Sequence, residues 1–342
     1  MNNDYLTSQR HRGKTLLIVE GYHEKNKLFW LLFHAFPELK ISYDDIWIYG
    51  TNIYMLYQNI VDEYGEKWAE DDDDIDLPFV VSKKKNPKKL EYKNDFTNIF
   101  LVFDYERHDP NFDKDKITNM QERFNDSADM GKLFINYPMV ESYQHFTKMP
   151  DPGFADRFVM SSIHHGHEYK NIVKRVSGIS KIIRFPHQIK GLLEEYLGIS
   201  DPTEQNRLAN LILELHRNDD LLMQIQKILP LESEYPGART LRYTLKNKID
   251  ELKYLQKEQT YWEYMRSVFK NIIISNACKA NKILNDKYEI SKEEYESLDL
   301  AQVLGKQNKA SENEETGIIW VLNTSVFMVA DYNYLLVSQN PG

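Results

Sequence analysis

Thr15 to Phe29, TLLIVEGYHEKNKLF, sets an acidic residue where the surrounding pattern demands burial. Thr15 to Val19 is an apolar, β-branched run of strand length, the pattern of a strand covered on both faces. Glu20 and Gly21 end it. Glu24 to Phe36 then reads as a helix, with Leu28, Leu31, Leu32, Ala35 and Phe36 on one apolar stripe. A carboxylate at the carboxyl end of a buried strand, followed at once by Gly, stands at the mouth of an open α/β sheet, where ligand sites gather.

The segments that follow repeat the theme. Ile41 to Tyr49 contains a second strand centred on Ile46 to Tyr49. Gly50, Thr51 and Asn52 break it, and Asn52 is a good cap for a helix from Ile53 to about Tyr64. Residues 66–95 form a charged insertion or loop: Glu70 to Asp74 are five consecutive acids, and Lys83 to Lys89 carry five lysines around Asn86 and Pro87. Blocks of that kind are ordinarily solvated. Asn98 to Phe103 is a third buried strand ending in Asp104-Tyr105-Glu106. A helix over Lys116 to Asn125 and a fourth strand, Lys132 to Tyr137, come next, the latter running into Pro138-Met139-Val140-Glu141. This β-α-β-α-β-α-β alternation predicts an α/β fold with a mostly parallel sheet flanked by helices. Three of its strands are followed by acids: Glu20, Asp104 with Glu106, and Glu141.

From about residue 149 to 342 the pattern is largely α-helical. Helices are expected near Lys170–Arg175, Gln188–Leu197, Thr203–Arg217 and Asp220–Ile228. Arg239 to Asn285 reads as one or two longer helices, and Ser291 with Glu294 forms a capping box. Lys306 to Thr316 looks like a polar loop. Ile318 to Ala330 is either buried helix or strand. The organisation expected is a polar tail (1–13), an α/β domain (14–148) and a helical C-terminal domain (149–342).

At 342 residues the chain can bury a substantial core. No apolar run reaches the ~18 residues of a membrane span; the best, Ile318 to Val337, is interrupted by Asn323, Asp331 and Asn333. No signal peptide is visible in the polar Met1 to Gly13. One cysteine, Cys278, excludes an intrachain disulfide and a cysteine zinc site and fits a reducing cytoplasm, the expected location. A net charge of −9 argues against non-specific coating of nucleic acid by the whole surface, though not against a local basic channel.

An acid after a strand usually caps a helix or closes a turn. Several converging on one sheet mouth repel one another unless something neutralises them. A hard divalent cation, Mg²⁺ or Mn²⁺, held by carboxylate oxygens and water, is the natural solution, and it suits hydrolysis of a phosphodiester.

LLIVEGYHE resembles the first motif of Toprim domains, in which a strand ends in Glu-Gly and an acid follows three residues after the Gly. FLVFDYE is similar to their second motif, normally Asp-x-Asp, and Gly50 falls where these domains often carry a glycine turn. The resemblance covers about residues 14–146. Glu24 stands in place of the usual Asp, the segment Tyr137 to Ser142 is similar to the proline-and-glutamate segment of RloB-like proteins, and the mixture resembles the RloB-like, OLD-type and PARIS-effector proteins of bacterial anti-phage defence. The resemblance implies a Toprim-like fold and a metal-dependent endonuclease acting on DNA or RNA, tRNA included. It implies Glu20 as general acid/base, Asp104 and Glu106 as metal ligands, and Glu20, Glu24 and Glu141 as further ligands. It also implies a separate ATPase partner. The alternatives are a catalytically degenerate Toprim module that binds or regulates, and a topoisomerase- or primase-like role, for which no accompanying domain is visible.

Arg107 and His108 adjoin the acids and are candidates for phosphate contact. Lys170 and Lys174, at i,i+4 on an expected helix, are candidates for the same role. His164, His165 and His167 fit a surface loop, and imidazole suits zinc better than magnesium. Gly13-Lys14-Thr15 mimics the end of a P-loop, but a strand follows it where a helix is required. Tyr261, Trp262, Tyr264 and Phe269 could stack bases, yet their helical spacing among apolar neighbours favours packing. Nucleic acid is the expected substrate. Self-association is open, and no membrane contact is expected.

Overall fold

The computed structural model of the chain describes residues 14–70, 74–83, 90, 92–163, 165–229 and 235–338. The tail 1–13, most of the acidic and lysine runs, and His164 lie outside the described residues.

The strands are β1 (Thr15–Val19), β2 (Ile46–Ile48), β3 (Asn98–Asp104), β4 (Asn125–Asp126), β5 (Gly131–Tyr137), β6 (Phe158–Met160), β7 (Ile318–Trp320) and β8 (Leu322–Asn323). The main sheet runs β2-β1-β3-β5-β4, with β8 also on β5. Its β2, β1, β3 and β5 are mutually parallel, with Val19 opposite both Ile48 and Val102, and Asp104 opposite Asn136. The short β4 and β8 pair antiparallel at opposite ends of β5. A mostly parallel, mixed sheet is thus observed. β6 and β7 form a separate antiparallel pair. The parallel strands read as continuous apolar runs because both faces are covered. Leu101, Val102 and Phe103 are fully buried, each contributing about 1.5–3 kcal/mol to the core.

The helices are α1 (Trp30–Ala35), entered directly from a π-helical turn Glu24–Phe29, α2 (Ile53–Tyr64), α3 (Leu77–Lys83), α4 (Lys114–Arg123), α5 (Lys170–Val176), α6 (Ser180–Leu197), α7 (Pro202–Leu213), α8 (Leu221–Ile228), α9 (Ala238–Asp250), α10 (Tyr261–Asn285), α11 (Lys292–Glu296), α12 (Leu300–Ala310) and α13 (Met328–Tyr332). Asn52 caps α2, accepting from Met55 N–H at 3.0 Å. The Ser291/Glu294 capping box is formed. The long stretch from Arg239 divides into α9 and α10. Tyr261, Trp262 and Phe269 are buried, so these aromatics pack: Trp262 meets Trp30 edge-on at 5.4 Å and stacks on His34 at 4.8 Å, and Tyr261 donates to Ile182 O at 2.9 Å.

One expectation is corrected. Lys306 to Thr316 is not wholly a loop, because α12 continues to Ala310. Val303, Leu304 and Gln307 form its buried face, and Gln307 both donates to Trp320 O (2.9 Å) and accepts from Trp320 N–H (3.1 Å). A polar side chain serving strand β7 cannot be told from a loop residue by composition.

The helix-rich second half is not laid apart from the sheet. Leu322–Asn323 joins it as β8, Thr324 Oγ1 donates to Ile135 O at 2.8 Å, and buried residues of both halves share one core. Among the described residues no helix is long and apolar enough to cross a membrane.

Candidate active site

The parallel strands present their carboxyl ends to one edge, and the acids arrive there by separate routes. Glu20 follows β1 directly. Its N–H donates to Val102 O (3.2 Å), its carbonyl accepts from Gly50 N–H (2.8 Å), and its Oε2 accepts from the Asp104 N–H (3.3 Å). Gly50 sits at φ 84°, left-handed backbone that suits glycine and turns the chain away after β2. Gly21 N–H donates to Glu24 Oε2 at 2.9 Å, and a Cβ on Gly21 would stand 3.3 Å from that oxygen. The Glu-Gly-x-x-Glu spacing therefore closes a turn that points Glu24 back toward Glu20.

Asp104, the last residue of β3, is buried, and its Oδ1 has no hydrogen-bond partner. Glu106, two residues on, has φ 37°, a left-handed conformation uncommon for a residue other than glycine. Glu141 is buried in the 3-10 turn Val140–Gln144, which packs on the π-helical turn carrying Glu24. Its Oε1 lies 3.3 Å from both His23 Nε2 and Lys170 Nζ, neither aligned as a hydrogen bond.

These carboxylates feel one another. Burial, then the charges of Glu106 and Glu24, hold the Glu20 pKa well above the ordinary carboxylate range. Burial, then Glu20, Glu24, Glu141 and Glu106, do the same to Asp104. Burial also raises Glu24, Glu106 and Glu141, with Glu141 adding to the rise at Glu24 and Asp109 to that at Glu106. The opposing cations are Lys170, acting on Glu20, Glu24, Glu106 and Glu141, and Lys27, acting on Glu141. His23 adds no charge at neutral pH, since burial, Lys27 and Lys170 push its pKa down to about 4. An unpaired ionised carboxylate at Asp104's depth costs on the order of several kcal/mol. The donor set is all carboxylate oxygen, as hard divalent cations prefer.

Among the described residues no three His, Cys, Asp or Glu side chains are disposed to hold a metal ion as a ready ligand set. Mg²⁺ in particular takes one or two carboxylates and keeps several waters. The buried, partnerless Asp104 Oδ1 and the mutual repulsion of its neighbours fit such a cation.

Glu20, Glu24, Asp104, Glu106, Glu141 and Lys170 thus come together. Lys174 lies one turn further along α5 and is exposed. Arg107 stacks on the Phe112 ring, 4.4 Å from its centre, and His108 is half-buried in the same loop. His167 is exposed and accepts from Asn171 Nδ2 at 3.2 Å. Two participants had no sequence signal beyond local roles. His23 is an unremarked letter of the first motif. Asn52, legible as a helix cap, also donates to Asp109 (2.6 Å), whose charge adds to the rise at Glu106.

Two concavities are lined in part by these acids. One of about 450 Å³ is lined by Glu20, Gly21, Tyr22, Ile48, Gly50 and Thr51. The other, about 660 Å³, has Glu141 and Lys170 at its wall and extends along α5 and α6.

Fold and site define an α/β protein with a mostly parallel sheet and a buried acidic centre at its carboxyl edge. The chain matches no family model, no curated protein and no solved structure among those compared.

Proposed function

We propose that this chain is a Mg²⁺- or Mn²⁺-dependent endonuclease with a Toprim-like α/β domain. The observation that carries this reading is Asp104: a buried carboxylate oxygen without a donor, at the end of a central parallel strand, ringed by Glu20, Glu24, Glu106 and Glu141. Asp104 and Glu106 would hold the cation, with Glu20, Glu24 and Glu141 completing or orienting its shell. Such an ion supplies charge neutralisation and a water of lowered pKa for phosphodiester cleavage. Glu20, whose carboxyl is kept inclined to hold its proton, is placed to exchange a proton with attacking water or leaving oxygen. Lys170, 3.3 Å from Glu141, is the cation set to meet a phosphate oxygen. The resemblance of LLIVEGYHE and FLVFDYE to Toprim motifs supports the same reading. On that resemblance we assign the enzyme to cytoplasmic anti-phage defence, with ATP hydrolysis left to a separate partner protein.

A second reading, a metal-free binding module of the same fold, is favoured by Glu106 at the position where Toprim motifs carry Asp. One experiment separates the two. With Mn²⁺ and mixed DNA and RNA substrates, Asp104→Asn and Glu20→Gln should each lower cleavage by about a hundredfold or more, the scale of losing a group that acts on the reacting atoms, with unchanged circular dichroism. Cleavage within about threefold of wild type in both variants would overturn the endonuclease reading.

A further inference from the structure

The larger concavity is basic in a chain that is acidic as a whole. Lys27, Lys170, Lys174, Arg184 and Lys190 line it, against one carboxylate, Glu141. Lys170 and Lys174 are successive positions on one face of α5, about 6 Å apart along the axis, and Arg184 stands on α6. The local field is visible at His187 in the same wall, where burial and then Lys190 and Lys27 hold the imidazole below its ordinary pKa. The cleft meets the carboxylates through Glu141. Tyr22 lines the smaller concavity together with Glu20 and is 72% exposed. A solvent-exposed ring beside buried acids is an open face for an unpaired base.

We propose that the cleft between α5, α6 and the π-helical turn holds the backbone of a single-stranded nucleic acid, led by Lys170 to the carboxylates, with a base stacked on Tyr22. A volume of about 660 Å³ is that of a small-molecule site, room for a nucleotide or two and not for a duplex. The cations supply sequence-independent phosphate contacts and Tyr22 supplies a sequence-tolerant platform. This assignment of substrate form rests on the endonuclease reading for its purpose, but not for its test.

The test is fluorescence anisotropy in EDTA, so that binding is read without chemistry, using a labelled 20-nucleotide single strand (RNA and DNA) and the matching duplexes. Wild type should bind single strands at least tenfold more tightly than duplex. Lys174→Glu with Arg184→Glu, both exposed positions, should weaken single-strand binding tenfold or more and flatten its salt dependence by roughly 0.7 per lost phosphate contact. Tyr22→Ala should weaken it at least threefold. Lys306→Glu with Lys309→Glu, an equal charge change on α12 outside the cleft, should leave it within twofold. The proposal is overturned if wild type binds no single strand, prefers duplex or binds only mononucleotides, or if the two charge-reversal pairs behave alike. Should Asp104→Asn cleave like wild type while the cleft variants lose binding, the endonuclease reading fails and the cleft stands. Should the cleft variants bind normally while Asp104→Asn is inert, the reverse holds.

Discussion

Asp104 is the residue on which the centre turns, and its environment has a measurable consequence without any substrate. Its carboxyl pKa is raised by burial and by four neighbouring acids. For a raised acid the stabilising, protonated form is fully present below the unfolded value of about 3.9 and is lost as pH climbs through the folded value. Ionising the cluster therefore strains the fold. In chelator, Asp104→Asn should raise the melting temperature at pH 7.5 by roughly 2 °C or more. The gain should disappear near pH 4; equal gains at both pH values would contradict the account. Glu106 carries a different consequence. Its left-handed φ of 37° is one that Asp tolerates better than Glu, so Glu106→Asp should retain cleavage within about threefold while Glu106→Gln loses it, each relative to the hundredfold scale of a group at the reacting atoms. Comparable loss in both variants would show that reach matters more than charge.

At the scale of elements, β1 with its following turn, β3 and β5 were legible because burial on both faces writes strands as unbroken apolar runs. Their acidic ends stood out against that background. The C-terminal segment was not legible, since Asn323 reads as a defect in an apolar run. In the structure it is a buried hub: its Nδ2 donates to Val140 O (3.0 Å) and Ser142 Oγ (3.1 Å), and its Oδ1 accepts from Ser325 Oγ (2.7 Å) and Val326 N–H (3.3 Å). These bonds fasten β8 to the turn that carries Glu141. Asn323→Ala should cost about 2–4 kcal/mol, the range for breaking a buried polar network, read as a lowered denaturant midpoint. A loss under about 0.5 kcal/mol, the scale of a surface change, would remove Asn323 from that role. The same blindness hid the last turns of α12, where Gln307 serves the backbone of Trp320. Partners this far apart in sequence leave no periodic trace.

Across the whole molecule, the helical second half is bonded to the sheet's acidic edge. Tyr105, the middle residue of Asp104-Tyr105-Glu106, is buried, and its hydroxyl donates to Asn308 Oδ1 (2.7 Å) and lies 3.0 Å from Ser311 Oγ at the end of α12. Lys170 reaches Glu141 from α5. The sequence pattern showed which acids share an edge. It could not show that Lys170 faces them while Arg107 turns to Phe112, because that choice depends on helices placed by tertiary packing. What unites these scales is the claim that the carboxylates form a divalent-metal centre. Titrating Mn²⁺ into the full chain at pH 7.5 by isothermal calorimetry, alongside Asp104→Asn, tests it directly. The account predicts saturable binding by the wild type, weakened at least tenfold in the variant. No binding by the wild type at millimolar Mn²⁺, or equal affinity in the two proteins, would contradict it.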